Sequence, residues 1–158
     1  MKKVIILLLG VFTLISCGEK KDSQDQKNNE NQAELEVKTA YEKHLQVVLD
    51  EHDVLMAEMK TVSGLLQKVE AETETAEEDA KEVYLKSAEK LQKANKSMFS
   101  WMKDFSEEFP DIHEKEKTFS EEEYKERVEK LKAQEELLEK LKKEFEEGIS
   151  SAETLLNN

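Results

Sequence analysis

The stretch FSEEFPDIHEKEKTFSEEEY, residues 105–124, holds both a helix stop and a helix start. Phe109-Pro110 is the stop, because the pyrrolidine ring keeps the residue before it out of helical geometry. Ser120-Glu121-Glu122-Glu123 is the start, with the form of a capping box. In that motif the Ser hydroxyl accepts from the N–H three residues on, and the Glu carboxylate accepts from the Ser backbone N–H. Phe109, Ile112 and Phe119 punctuate the residues between, so this connection is expected to fold over the end of a core.

A second break lies upstream in ETETAEEDAKEVY, residues 72–84, where Thr75-Ala76-Glu77-Glu78 reads as another capping box. The two breaks define three helical segments. Asn31, followed three residues later by Glu34, is a plausible start for the first, which extends to about residue 71. Its face is read as Tyr41, Leu45, Val48, His52, Met56, Met59, Ser63 and Leu66, interrupted only by Gly64. The second runs through Ala80, Val83, Tyr84, Ala88, Leu91, Ala94, Met98, Trp101, Met102 and Phe105. The third shows Tyr124, Val128, Leu131, Leu138, Leu141, Phe145, Ile149, Ala152 and Leu156 at the same three- and four-residue steps. Three amphipathic segments in one chain, with residues 33–158 as the domain, are expected to form an all-α, antiparallel three-helix bundle, up-down-up. A parallel coiled-coil oligomer is the rival. The internal breaks favour the intramolecular bundle, while helices of about 30–40 residues leave overhangs where a second subunit can dock.

Composition agrees with this class. The 158 residues are 39% charged and include only four Gly and one Pro, too few turn formers for an all-β or α/β fold. The formal charge is −13, and basic residues are interleaved with a larger number of Glu, which argues against a nucleic-acid partner.

The N-terminus has a different character. Lys2 and Lys3 precede an apolar run from Val4 to Ile15, shorter than the roughly 20 residues of a membrane-spanning helix and suited to a signal-peptide core. It ends in Leu14-Ile15-Ser16-Cys17, which resembles the bacterial lipobox. That resemblance implies removal of residues 1–16 as a lipoprotein signal peptide and a diacylglyceryl group on Cys17, with further acylation of the new amino terminus. Two or more acyl chains, at about 0.8 kcal/mol per buried methylene, make a stable membrane anchor. Cleavage also removes Lys2 and Lys3, taking the charge from −13 to −15. Gly18 stands where Asp is the inner-membrane retention signal of enteric bacteria, so an outer-membrane location is favoured for a Gram-negative host. From Gly18 to Gln32 there is no aliphatic or aromatic residue, and residues 17–32 are expected to be a lipidated Cys followed by a disordered tether.

Candidate chemistry is sparse. His44, His52 and His113 are the only histidines, and none falls in a recognisable catalytic motif, so no enzymatic activity is expected. The acidic runs at 77–78, 121–123 and 146–147 lack a calcium-loop pattern and suit helix starts and solvated faces. More informative are soft side chains within the apolar stripes. His52, Met56 and Met59 share one face, and Met98, Trp101 and Met102 form a second group. With the first turn centred near residue 74, antiparallel partners have numbers summing to about 148, so His52 falls within one helical turn of Met98. His52, Met56, Met98 and Met102 are thus a candidate set for Cu(I) or Ag(I), which prefer soft ligands and can meet an aromatic face. The plainer reading is a core partly filled by Met, which packs well in irregular gaps and beside aromatics.

EHDVLMAEM (51–59), LQKANKSMFSWMKDF (91–105) and the residues around Ile149-Ser150-Ser151-Ala152 resemble small Bacteroidetes-type helical lipoproteins that often carry the label of viral A-type inclusion protein. The likeness covers most of the chain after the signal. It implies lipoprotein status and a helical fold, and brings no activity or ligand with it. The function expected is a membrane-anchored envelope lipoprotein, its helical module binding or supporting a protein or other envelope partner. The alternative is a soft-metal binding protein of the envelope.

Overall fold

A computed structural model describes residues 22–157 apart from residue 115, with side chains from residue 32 onward. The signal peptide, Cys17 and the first residues of the expected tether lie outside the described residues. Three helices follow in order: α1 (Asp22–Thr75), α2 (Glu78–Glu108) and α3 (Glu121–Leu156). Each packs on both others, which makes an up-down-up three-helix bundle. No helix among the described residues is long and apolar enough to cross a membrane.

The breaks work by different means. Glu108 ends α2, and Phe109 closes it with its N–H donating to the Phe105 carbonyl at 2.9 Å. The capping box at Ser120 is complete. The Glu123 carboxylate accepts from the Ser120 N–H at 2.8 Å, and the Glu123 N–H donates to the Ser120 hydroxyl at 3.4 Å. These bonds hold the Glu123 carboxyl below its usual range, the Ser120 hydroxyl foremost. The box expected at Thr75 does not form. Thr75 remains the last residue of α1, its hydroxyl donates back to the Glu72 carbonyl at 3.3 Å, and the chain turns through Ala76 and Glu77 alone. Glu77 caps α2 with extended backbone and no side-chain hydrogen bond.

Helix α1 begins at Asp22 rather than near Asn31, so residues 22–32, expected as part of a disordered tether, are helical. No Gly or Pro interrupts residues 19–63, and although Asp, Ser and Asn slightly outnumber the better helix formers Gln, Lys and Glu over residues 22–32, none of them breaks a helix. A helix nucleated by its packed part therefore extends outward one hydrogen bond at a time. Packing starts further on, at Val37 and Ala40.

The buried face of α1 also differs from expectation. Tyr41, Val48, Leu55, Val62 and Val69 form its axis at seven-residue spacing, joined by Leu65. Leu45, Met59 and Leu66 are partly buried beside them, whereas Met56 is 39% exposed. The expected stripe had therefore followed one edge of a broad apolar arc. That arc is broad because α1 faces two helices, and a seven-residue repeat is the period of a left-handed supercoiled seam. On α2, Leu91, Ala94, Met98, Trp101 and Phe105 are buried as expected, while Val83 is turned outward. On α3, Tyr124, Val128, Leu131, Leu138, Leu141, Phe145 and Ala152 are all core residues. Gly148 joins them. A Cβ there would lie 3.4 Å from Leu91 Cδ2 and 3.5 Å from the Lys90 carbonyl oxygen, so α2 and α3 run close at this level.

Candidate functional site

Four-residue spacing along the end of α2 and onto its capping residue brings Trp101, Phe105 and Phe109 over one another. Trp101 and Phe105 stack with centroids 4.9 Å apart and planes 17° apart, and Phe105 and Phe109 follow at 4.9 Å. From α1, the His52 ring approaches Trp101 at 5.6 Å, tilted by 31°. This ladder forms because the turn centres between Ala76 and Glu77, so antiparallel partners sum to about 153 instead of 148. The shift moves His52 away from Met98 and onto Trp101.

Beside the ladder is a cleft of about 270 Å³. Leu49 and His52 of α1 form one wall, and Trp101, Met102 and Phe105 of α2 form another. Pro110, Ile112 and His113 of the connection close its end. The lining is mostly apolar and aromatic, with a few polar groups at fixed points, the usual character of small-molecule sites.

The wall is tied down from behind. The buried Trp101 indole N–H donates to Gln134 Oε1 at 2.8 Å, and Gln134 Nε2 donates to Glu108 at 2.6 Å. Asp111, also buried, receives Arg127 at 2.5 Å and Lys117 at 2.8 Å on one carboxylate oxygen. Burial alone pushes the Asp111 carboxyl up, but the hydrogen bonds from Lys117 and Arg127 outweigh it and hold the group below 3.8, its ordinary value. The Arg127 guanidinium lies 3.8 Å over the Phe119 ring, which joins the far end of the connection to the same knot. Phe109, Ile112 and Phe119 do cover the bundle end, as expected, with Phe109 fully buried.

Of the four residues proposed from sequence as soft-metal ligands, two meet here. His52 and Met102 line the cleft. Met98 is fully enclosed in the core and Met56 faces solvent, and neither lines it. His113, which sequence reasoning left aside, lines the cleft from the connection. Its only signal in sequence was its place next to Ile112, an apolar residue marking where the connection folds inward. Among the described residues, no three His, Cys, Asp or Glu side chains are grouped to hold a metal ion. His44, the third histidine, instead pairs with Glu135 across α1 and α3 at 2.7 Å. Cys17, the lipidation candidate, lies outside the described residues.

No protein-family model matches the chain, and comparison with curated proteins and with solved structures returns no match.

Proposed function

We propose that the protein is a cell-envelope lipoprotein, lipid-anchored through Cys17, whose helical bundle is a non-enzymatic binding module. The lipobox Leu14-Ile15-Ser16-Cys17 supports the anchor, and Gly18 after it favours the outer membrane in a Gram-negative host. The observation that carries the binding role is the cleft between α1, α2 and the connection, apolar, aromatic and braced from behind. A preformed recess of this kind lowers the ordering cost of binding a ligand or a partner's side chain. The charge of −13 and the interleaving of Lys with Glu favour a protein or envelope partner over nucleic acid.

A second reading, a soft-metal binding envelope protein for Cu(I) or Ag(I), is favoured by one observation: an imidazole and a thioether, from His52 and Met102, share the cleft.

The anchor is tested by feeding cells a clickable fatty acid. The wild-type protein should take up the label and fractionate with membranes, and Cys17→Ser should lose the label and accumulate as uncut precursor. Equal label on both would remove the lipoprotein assignment.

A further inference from the structure

We infer that the cleft holds a soft monovalent cation, Ag(I) or Cu(I), on His52, Met102 and His113, one donor from each of its three walls. This rests on reading the cleft as the binding site and replaces the donor set suggested by sequence. Three observations converge on it. All three side chains line the same cavity, on α1, α2 and the connection respectively. His52 also has a carboxylate partner. Its Nδ1 lies 3.1 Å from Asp53 Oδ1, and in the neutral imidazole that contact places the proton on Nδ1 and leaves the lone pair on Nε2. Carboxylate partners of this kind set the tautomer and raise the basicity of metal-binding imidazoles. Finally, the Trp101 indole lines the same cavity with its ring centroid 5.6 Å from that of His52, so an ion held on His52 would lie beside an aromatic ring.

The donor chemistry selects the ion. Two imidazole nitrogens and a thioether, with no carboxylate or thiolate among the three, suit a soft ion better than Zn(II), which is held by thiolate, imidazole and carboxylate and not by thioether. A bound ion would join α1, α2 and the connection at one point, so ligation should raise the melting temperature as well as release heat.

The test uses the full chain in dodecyl maltoside with Cys17→Ser, so that the thiol cannot take the ion. Ag(I) is titrated by calorimetry while Trp101 fluorescence and melting temperature are followed. The expected result is about one equivalent bound, with quenching of Trp101 and a raised melting temperature. His52→Ala, His113→Ala and Met102→Leu should each abolish this tight binding. Asp53→Asn should weaken it by roughly tenfold, the effect of losing an orienting partner. Met56→Leu and His44→Ala should leave it unchanged, and circular dichroism checks that each variant stays helical. Binding that quenches Trp101 yet survives His113→Ala would overturn this donor set while keeping the cleft as the metal site. Binding that leaves Trp101 and the His52 variant unaffected would move the ion elsewhere and overturn the inference. A flat titration on folded protein would remove the metal reading and leave the module's other binding role standing.

Discussion

The two junctions of this bundle solve one problem, reversing a helix, with opposite means. Between α1 and α2 the chain turns through Ala76 and Glu77, with no buried side chain and no side-chain cap. Between α2 and α3 it spends residues 109–120, buries Phe109 and Asp111, and closes with a full capping box. The short turn only connects. The long connection is a small packed structure, and it supplies one wall of the cleft. Elaboration of a junction beyond what reversal needs thus coincides with the candidate site, as it does where loops on rigid scaffolds carry function.

This contrast can be broken most strongly at Phe109. Phe109→Ala should cost about 3–5 kcal/mol in urea unfolding, the range for removing a buried aromatic, and should loosen the cleft wall with it. A loss under 1 kcal/mol would mean that the connection is a covering strand of little consequence.

Asp111 comes next. Asp111→Ala removes the acceptor shared by Arg127 and Lys117 and should cost about 2–3 kcal/mol. The same group gives a pH signature. Its carboxyl titrates lower in the folded chain than in the unfolded one, so the unfolded state binds the proton more readily. The stability it contributes is complete above the unfolded value and is lost as pH falls through the folded one. Melting temperature of the wild type should therefore decline below about pH 4 more steeply than that of Asp111→Ala. Parallel curves would assign the acid loss to other carboxylates.

The caps give the smaller and more direct comparison. Ser120→Ala should cost about 1 kcal/mol by opening the box at the long connection. Glu77→Ser should do the reverse at the short turn. It places a capping hydroxyl on a residue whose backbone is already extended, and should stabilise by about 0.5–1 kcal/mol. Chemical denaturation of both variants measures the pair, and a Glu77→Ser variant no more stable than wild type would show that the turn geometry keeps the hydroxyl from α2.

Much of the architecture was legible because its signals are local. Pro110 and Ser120 act on neighbouring backbone, and the α3 stripe was readable because its large apolar residues, Leu137 apart, keep mostly to one face. Helix α1 was harder. Val47, Leu49, Val54 and Met56 are apolar yet outside the core, so counting apolar steps does not choose a face. The run Tyr41, Val48, Leu55, Val62, Val69 was present in the sequence and is the better guide, since a helix between two partners keeps a seven-residue seam. The site was half legible. His52 and Met102 stand out as unusual residues in apolar stripes, but their neighbours depend on the turn centre, and moving it by two or three residues exchanges Met98 for Trp101 opposite His52. Gln134 and Asp111 carried no signal of burial, because what buries them is a partner distant in sequence: the Trp101 indole in one case, the Arg127 guanidinium in the other.

The pairing of α1 with α3 bears on how the chain reaches this fold. His44 meets Glu135, and Glu51 meets Lys142, each pair joining the first helix to the last in the same direction. Such contacts close very large loops, whereas α2 can pair with either neighbour across a short gap. A chain emerging N-terminus first can form the α1–α2 hairpin early, but the core face of α1 is incomplete until α3, which also packs on it, follows. Folding to the native core is therefore gated by arrival of the final helix, and a chain halted before Ser120 should remain an open hairpin that proteases cut readily.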